Sequence, residues 1–155
     1  MRVAVIRSTL DVADAVFQKN RADMLEQLSI IDELQAEAAA GGGPAAMERM
    51  RSRGKLPVRE RIQAVLDPDA PFYEISSLAG YCSNYAVGGG LVMGIGVING
   101  VECVIEGNDP TVLGGAITSF AGKKIMRAIQ ISRENRLPYV QFVDQPYPTA
   151  PAATG

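Results

Sequence analysis

Along residues 9–38 the apolar positions recur three and four apart: Leu10, Ala13 and Phe17, then Met24, Leu28 and Ile31. That spacing lays them on one side of an α-helix, so the pattern predicts a long first helix. Its apolar stripe reads as core, with an assembly arm as the alternative. The run "AAAGGGPAA" (Ala38–Ala46) breaks the pattern, with Gly41 as the expected cap. A second, basic helix is expected over Pro44–Arg53. Pro57 stands where a first helical turn tolerates proline, so Val58–Leu66 reads as a short third helix, stopped by Asp67-Pro68.

After Phe72 the texture changes. "LVMGIGVI" (Leu91–Ile98) reads as a strand, and Asn99-Gly100 is a strong hairpin signal because a type I′ turn needs positive φ at both positions. "VECVIEG" (Val101–Gly107) is the returning strand, with Val101, Cys103 and Ile105 facing one way and Glu102, Val104 and Glu106 the other. "NDPTVLGG" is a loop. Residues 115–136 then predict a helix with Ile117, Phe120, Ala121, Ile125, Ala128 and Ile129 along its stripe. "YVQFVD" (Tyr139–Asp144) is a third strand. The class is α/β: a helical region over 1–66, a sheet-containing region over 67–144, and a proline-rich tail over 145–155 that reads as disordered.

Composition narrows the chemistry. A chain of 155 residues with 47% hydrophobic and 21% charged residues supports a globular core. The net charge of −2 argues against general nucleic-acid or membrane-surface binding. No apolar run approaches a bilayer span, and Arg7, Asp11 and Asp14 interrupt the short N-terminal apolar patch. The chain therefore reads as cytoplasmic, with no leader. Cys82 and Cys103 form no C-x-x-C pair and read as reduced, mostly buried thiols. There is no histidine, which removes Ser–His and Cys–His pairs and the commonest zinc sites. No metal site is expected.

Candidate chemistry gathers around the glycines. Gly94-x-Gly96 lies inside a strand and leads into a hairpin, so it fits neither a dinucleotide fingerprint nor a P-loop. It marks a bend or a close backbone approach. "GNDPTVLGG" differs: it sits between a strand end and a helix start, where backbone N–H groups can bind an anion or a polarised oxygen, though a plain connecting loop would look the same. Basic residues crowd Arg49–Arg61 (Arg49, Arg51, Arg53, Lys55, Arg59, Arg61). They read either as a solvated face with Glu48 and Glu60 nearby, or as a site for a phosphorylated ligand or an acidic partner. Lys123 and Lys124 are further ligand candidates. Asp67 and Asp69 look like turn residues, and Asp109 and Asp144 are the carboxylates open to a functional role.

Several segments stand together in a familiar order: "RGKLPVRERIQAVLDPDAPFYEI", "LAGY", "GGGLVMGIGVINGVECVIEGNDPTVLGGA" and "KKIMRAIQISRENRLPYVQFVD". The chain resembles the carboxyltransferase (β) subunits of biotin-dependent acyl-CoA carboxylases over about residues 20–144. The resemblance implies a partial crotonase-like spiral of β-β-α units preceded by N-terminal helices. It implies an acyl-CoA substrate, with carboxybiotin on a separate carrier protein or subunit as donor, and a biotin carboxylase and oligomeric assembly as partners. In such enzymes the carboxyl group leaves biotin, the ureido group takes the acyl α-proton, and backbone N–H groups stabilise the enolate. By the same resemblance, Asn108, Asp109, Thr111, Gly114 and Gly115 are acyl-CoA-side candidates, joined by Lys123 or Lys124.

One departure is plain. Where the family continues its strand into Ser-Gly-Gly-Ala, Asp144 here is followed by Gln145-Pro146-Tyr147-Pro148, and proline has no N–H to donate. No catalytic residue is therefore assigned. The resemblance also implies that the second crotonase-like domain lies outside these residues and that the isolated chain does not turn over. Three readings stand: the N-terminal part of a carboxyltransferase, a CoA-binding or assembly fragment, and a truncated remnant.

Overall fold

The structure, a computed structural model, describes residues 8–144. The expected disordered tail and the N-terminal patch up to Arg7 lie outside the described residues. The elements in order are α1 (Ala15–Ala40), α2 (Pro44–Arg51), α3 (Val58–Gln63), β1 (Tyr73–Glu74), β2 (Leu91–Ile98), β3 (Val101–Asn108), a 3-10 turn (Leu113–Gly115), α4 (Ser119–Asn135) and β4 (Tyr139–Phe142). The chain divides into two compact units between Glu33 and Leu34, inside α1.

In the first unit, α1 begins later than the apolar spacing suggests. The Asp11 carboxylate accepts from the Ala13 N–H at 2.9 Å, and that of Asp14 from the Val16 N–H at 2.7 Å. These aspartates satisfy backbone donors locally and hold the preceding residues in turns, so the helix starts after Asp14. Its apolar stripe is not core: Met24 is 60% exposed and Leu28 44%.

The second unit is built on a four-stranded sheet in the order β1-β2-β3-β4. β2 and β3 form a continuous antiparallel ladder from Leu91↔Asn108 to Ile98↔Val101. The turn between them has Asn99 at φ 50° and Gly100 at φ 75°, as the Asn-Gly pair predicts. The Asp67 carboxylate caps this turn, accepting from the Asn99 N–H at 2.6 Å and the Gly100 N–H at 2.7 Å. Asp67→Ala is expected to cost about 1–2 kcal/mol in urea unfolding, since both donors lose an ionised acceptor. Asn in its place should recover part of that, and an Asp67→Ala midpoint equal to wild type would show the cap to be idle.

β1 is too short to announce itself in the sequence. Tyr73 pairs with Ile95 and Glu74 with Gly94. A side chain on Gly94 would collide with the Tyr73 carbonyl and the Phe72 ring, and one on Gly96 with Leu66. The two glycines mark close approach, as expected. β4 runs parallel to β3, from Val104↔Tyr139 to Gly107↔Phe142, with α4 as the crossover.

Both faces of the sheet are covered, so the alternating pattern of β3 does not separate buried from wet. On one face Val58, Ile62 and Leu66 pack on Val92, Cys103 and Ile105. On the other, Ala128 of α4 packs on Met93 and Val104. The α4 stripe holds at Ala121 and Ala128 and departs from the expected one at Lys124 and at the outer isoleucines. Its buried positions are Ala121, Lys124 and Ala128, while Ile129 is 44% exposed and Ile117 precedes the helix. Small alanines let the helix lie close to the strands, which the bulkier isoleucines would prevent. α2 and α3 stop earlier than predicted, at Arg51 and Gln63. Cys103 is buried, but Cys82 is exposed, contrary to the expectation for both thiols. Among the described residues no helix is long and apolar enough to cross a membrane.

Candidate functional site

The loop after β3 is shaped by buried polar side chains. Asn108 is 1% exposed and Asp109 2%. Asn108 Nδ2 donates to the Gly115 carbonyl at 3.3 Å, which draws the two ends of the loop together. The Asp109 N–H donates to the Gly90 carbonyl at 3.0 Å. Asp109 Oδ1 accepts from the Thr111 N–H at 2.9 Å and from its hydroxyl at 2.5 Å. The Thr111 hydroxyl oxygen in turn accepts from the Gly42 N–H at 2.9 Å. The glycine break between α1 and α2 is therefore a seat for this loop. A Cβ at Gly41 would lie 2.5 Å from Asp109 Oδ2, and one at Gly42 would strike the Thr111 carbonyl.

At the apex, Leu113, Gly114 and Gly115 have φ of 47°, 64° and 84°. Three successive left-handed residues are costly unless glycine supplies them, and Leu113 bears that cost while 66% exposed. The Leu113 and Gly114 N–H groups find no acceptor among the described residues. Gly115 rests on the Asp144 carbonyl, 2.5 Å from where its Cβ would be. Asp144 is pinned by Lys55 Nζ at 2.9 Å and Arg61 Nη2 at 3.1 Å. The Lys55 ammonium, helped by Arg61, holds the Asp144 carboxyl below the usual range against an opposite push from partial burial.

The other side of the loop meets α4. The Thr118 hydroxyl caps the helix, accepting from the Ala121 N–H at 3.0 Å and donating to the Gly89 carbonyl at 3.1 Å. Lys124 is 3% exposed, and its ammonium donates to the carbonyls of Gly88, at 3.0 Å, and Leu91. Burial pushes its pKa down to about 8, with a further push from Arg59 and opposing pulls from Glu74 and Glu106. Glu106 is fully buried and accepts from Gln141 Nε2 at 2.6 Å. Its second carboxylate oxygen and the Tyr139 hydroxyl are buried without a partner. Burial, and then Glu106, push the Tyr139 hydroxyl's pKa up.

Asn108, Asp109, Thr111, Gly114 and Gly115 thus form one rigid loop. Lys123 stands apart on the exposed side of α4, 5.6 Å from the Phe120 ring centre. Lys124 is no free ligand group; it holds the Gly88–Leu91 turn. Gly41, Gly42 and Gly88–Gly90 escaped functional notice, although two glycine triplets in one chain were a visible signal. The basic crowd divides as well. Arg59 makes a fork with Glu74, at 3.2 and 2.8 Å, and reaches the Ala38 carbonyl at 3.1 Å, while Arg51 pairs with Glu60. Among the described residues Arg49 and Arg53 have no acidic partner.

Comparison with known proteins gives this geometry a context. Residues 49–145 match the family described as "Carboxyl transferase domain". The chain is 46% identical over 140 residues to the "Probable biotin-dependent acyl-coenzyme A carboxylase beta2 subunit" of Mycobacterium tuberculosis, covering 90% of this chain and 26% of that protein. It matches the crystal structure of the P. aeruginosa geranyl-CoA carboxylase beta subunit with a TM-score of 0.81 and 39% identity, over 92% of this chain and 27% of the other. Against the transcarboxylase 12S structure with methylmalonyl-coenzyme A bound, the TM-score is 0.72 at 26% identity, over 79% and 25% of the two chains. The partial crotonase-like α/β fold expected from the resemblance is the one observed. The chain spans about a quarter of the length of the curated relatives it matches. The match over residues 49–145 takes in most of the second unit and its glycine-rich loop, and by it this chain belongs to the carboxyl transferase domain family.

Proposed function

We propose that this chain supplies the acyl-CoA-side part of a carboxyltransferase that moves a carboxyl group from carboxybiotin to the α-carbon of an acyl-CoA. The observation that carries the reading is the Leu113–Gly115 apex, where two N–H groups without an acceptor among the described residues are held on a loop fixed by buried Asn108 and Asp109. Donors fixed before the substrate arrives need no reorganisation as charge develops, and that is how backbone N–H groups stabilise an oxyanion. Asn108 and Asp109 shape the loop, Thr111 docks it on Gly42, Gly114 and Gly115 form its turn, and Lys123, on the exposed side of α4, stands apart from it. Lys124 positions the neighbouring turn through the Gly88 and Leu91 carbonyls.

Carboxybiotin, presented by a separate carrier protein or biotin carboxylase subunit, supplies the carboxyl group when bound. The donors here suit the anionic acyl-CoA, and we assign no proton transfer to this chain. The isolated chain is expected to bind without turnover, to act within an oligomer, and to work in the cytoplasm. A second reading rests on the exposed stripe of α1, which suits an assembly arm.

The test is calorimetric titration of the purified chain with CoA. Saturable binding is expected, weakened about tenfold or more by Gly114→Val, which forces a β-branched residue into a left-handed turn. Gly114 has open space around it, so the cost is confined to backbone strain of about 1–3 kcal/mol, and the variant should still unfold cooperatively at a lowered temperature. Equal affinity in the variant would sink the assignment of the loop. A chain that ignores CoA yet co-elutes with carboxylase subunits would favour the assembly reading.

A further inference from the structure

The carbonyls of the Gly88–Leu91 turn are each taken by a donor from residues 109–124. Lys124 Nζ donates to Gly88, at 3.0 Å, and to Leu91. The Thr118 hydroxyl donates to Gly89 at 3.1 Å, and the Asp109 N–H to Gly90 at 3.0 Å. The N–H groups of the turn serve a different segment: that of Gly88 donates to the Ala79 carbonyl at 2.8 Å and that of Gly89 to Ala86 at 3.0 Å. Glycine is needed to place the carbonyls this way. φ is 89°, 67° and 74° at Gly88, Gly89 and Gly90, and a Cβ would press on Phe120 at Gly89 and on Val112 at Gly90.

Lys124 is the costly member of this set. It is 3% exposed, and among the described residues no carboxylate forms an ion pair with it. A buried ammonium opposes folding unless other groups replace its water. Burial lowers its pKa to about 8, while Glu74 and Glu106 favour the charge without pairing with it and Arg59 opposes it. Methionine would fill a similar space without that cost. What the ammonium alone does is donate to two carbonyls, in charge-assisted bonds stronger than those from a neutral donor. Those carbonyls flank Gly90, whose own carbonyl fixes the backbone of Asp109, and Asp109 in turn fixes Thr111 and the loop that leads to Leu113.

We propose that the Gly88–Leu91 turn is a carbonyl cradle for a cation, that the Lys124 ammonium is the cation it holds, and that Lys124 is thereby a positioning residue for the Leu113–Gly115 apex, acting through Gly90 and Asp109. The cradle stands on the hydrogen bonds alone; its effect on a ligand rests on the acyl-CoA reading of the loop.

The experiment uses the full chain at pH 7 as wild type, K124M and K124A. K124M keeps the bulk of the side chain, and K124A leaves room for n-propylammonium, which carries the missing atoms. Amide exchange is followed by NMR and CoA affinity by calorimetry. In K124M the Asp109 amide is expected to exchange tenfold faster or more, while the buried Val104 amide, bonded to the Pro138 carbonyl, keeps its rate. CoA affinity should fall about fivefold. In K124A, propylammonium should slow Asp109 exchange again, and tetramethylammonium, a cation with no N–H, should not. Exchange that rises alike at Asp109 and Val104 would overturn the proposal, because Lys124 would then serve general stability. So would an unchanged Asp109 amide, or failure of both variants to fold. A folded K124A that ignores propylammonium would overturn the cradle. Selective exchange in K124M with CoA affinity kept would overturn the link to the apex. A wild type that ignores CoA would sink the acyl-CoA reading, while selective exchange with rescue would still uphold the cradle.

Discussion

Replacing Gly42 with alanine is expected to lower the free energy of unfolding by about 2–3 kcal/mol, because the new methyl group meets main chain instead of a side chain that can turn away. The atom in its path is the Thr111 carbonyl. Relief requires the α1–α2 break to withdraw from the loop, and withdrawal breaks the hydrogen bond from the Gly42 N–H to Thr111. The same change should abolish CoA binding, since the apex loses its support. Gly114 provides the comparison. It has φ 64° and ψ 18° with open space around it, so Gly114→Ala costs only the conformational term, about 1 kcal/mol. Urea denaturation of the two variants separates collision from backbone preference. Equal losses would refute the seat.

A second large effect is expected in alkali. The Lys124 ammonium has a pKa of about 8 in the folded chain, against roughly 10.4 for an unperturbed lysine. Between those values the unfolded chain keeps a proton that the folded chain has released, so raising the pH favours folding. Below pH 8 both states are protonated, and the full cost of the buried charge is present. From pH 8 to about 10.5 the free energy of unfolding should rise by on the order of 3 kcal/mol relative to a variant lacking the group. Lys124→Met is that variant, and its pH profile should lack the rise. Parallel profiles for the two proteins would mean that Lys124 titrates as an ordinary surface lysine. The charged groups acting on it from the packed elements are Arg59 of α3, Glu74 of β1 and Glu106 of β3.

Local chemistry was the part of the fold legible in the sequence. The Asn99-Gly100 turn has one dominant structure, and it fixed the register of β2 against β3. The strand at Tyr139 and the helix before it also followed from period and length. What failed depended on distant partners. The period of α1 described a helix but not its exposure, because nothing in an apolar stripe says whether a partner is present. The α4 stripe held at Ala121 and Ala128, but it also named Ile129, which is exposed, and passed over Lys124, whose ammonium reaches backbone carbonyls. Gly42 and Thr111 are 69 positions apart, so no local pattern linked the glycine break to the loop it supports. The loop itself was recognised by its residues, but the burial of Asn108 and Asp109 recast both side chains as scaffolding.

The mixed sheet also sets an order of events during synthesis. β2 and β3 meet through a two-residue turn, so their ladder can close as soon as Asn108 has cleared the ribosome. β4 pairs with the same β3 but begins at Tyr139, and α4 must be made and laid across first. Until then one edge of β3 is open, the Gly88 and Leu91 carbonyls wait for Lys124, and the Glu106 carboxylate, later sealed from solvent, remains hydrated. The hairpin is thus complete before the crossover that closes the open edge of β3 has been made.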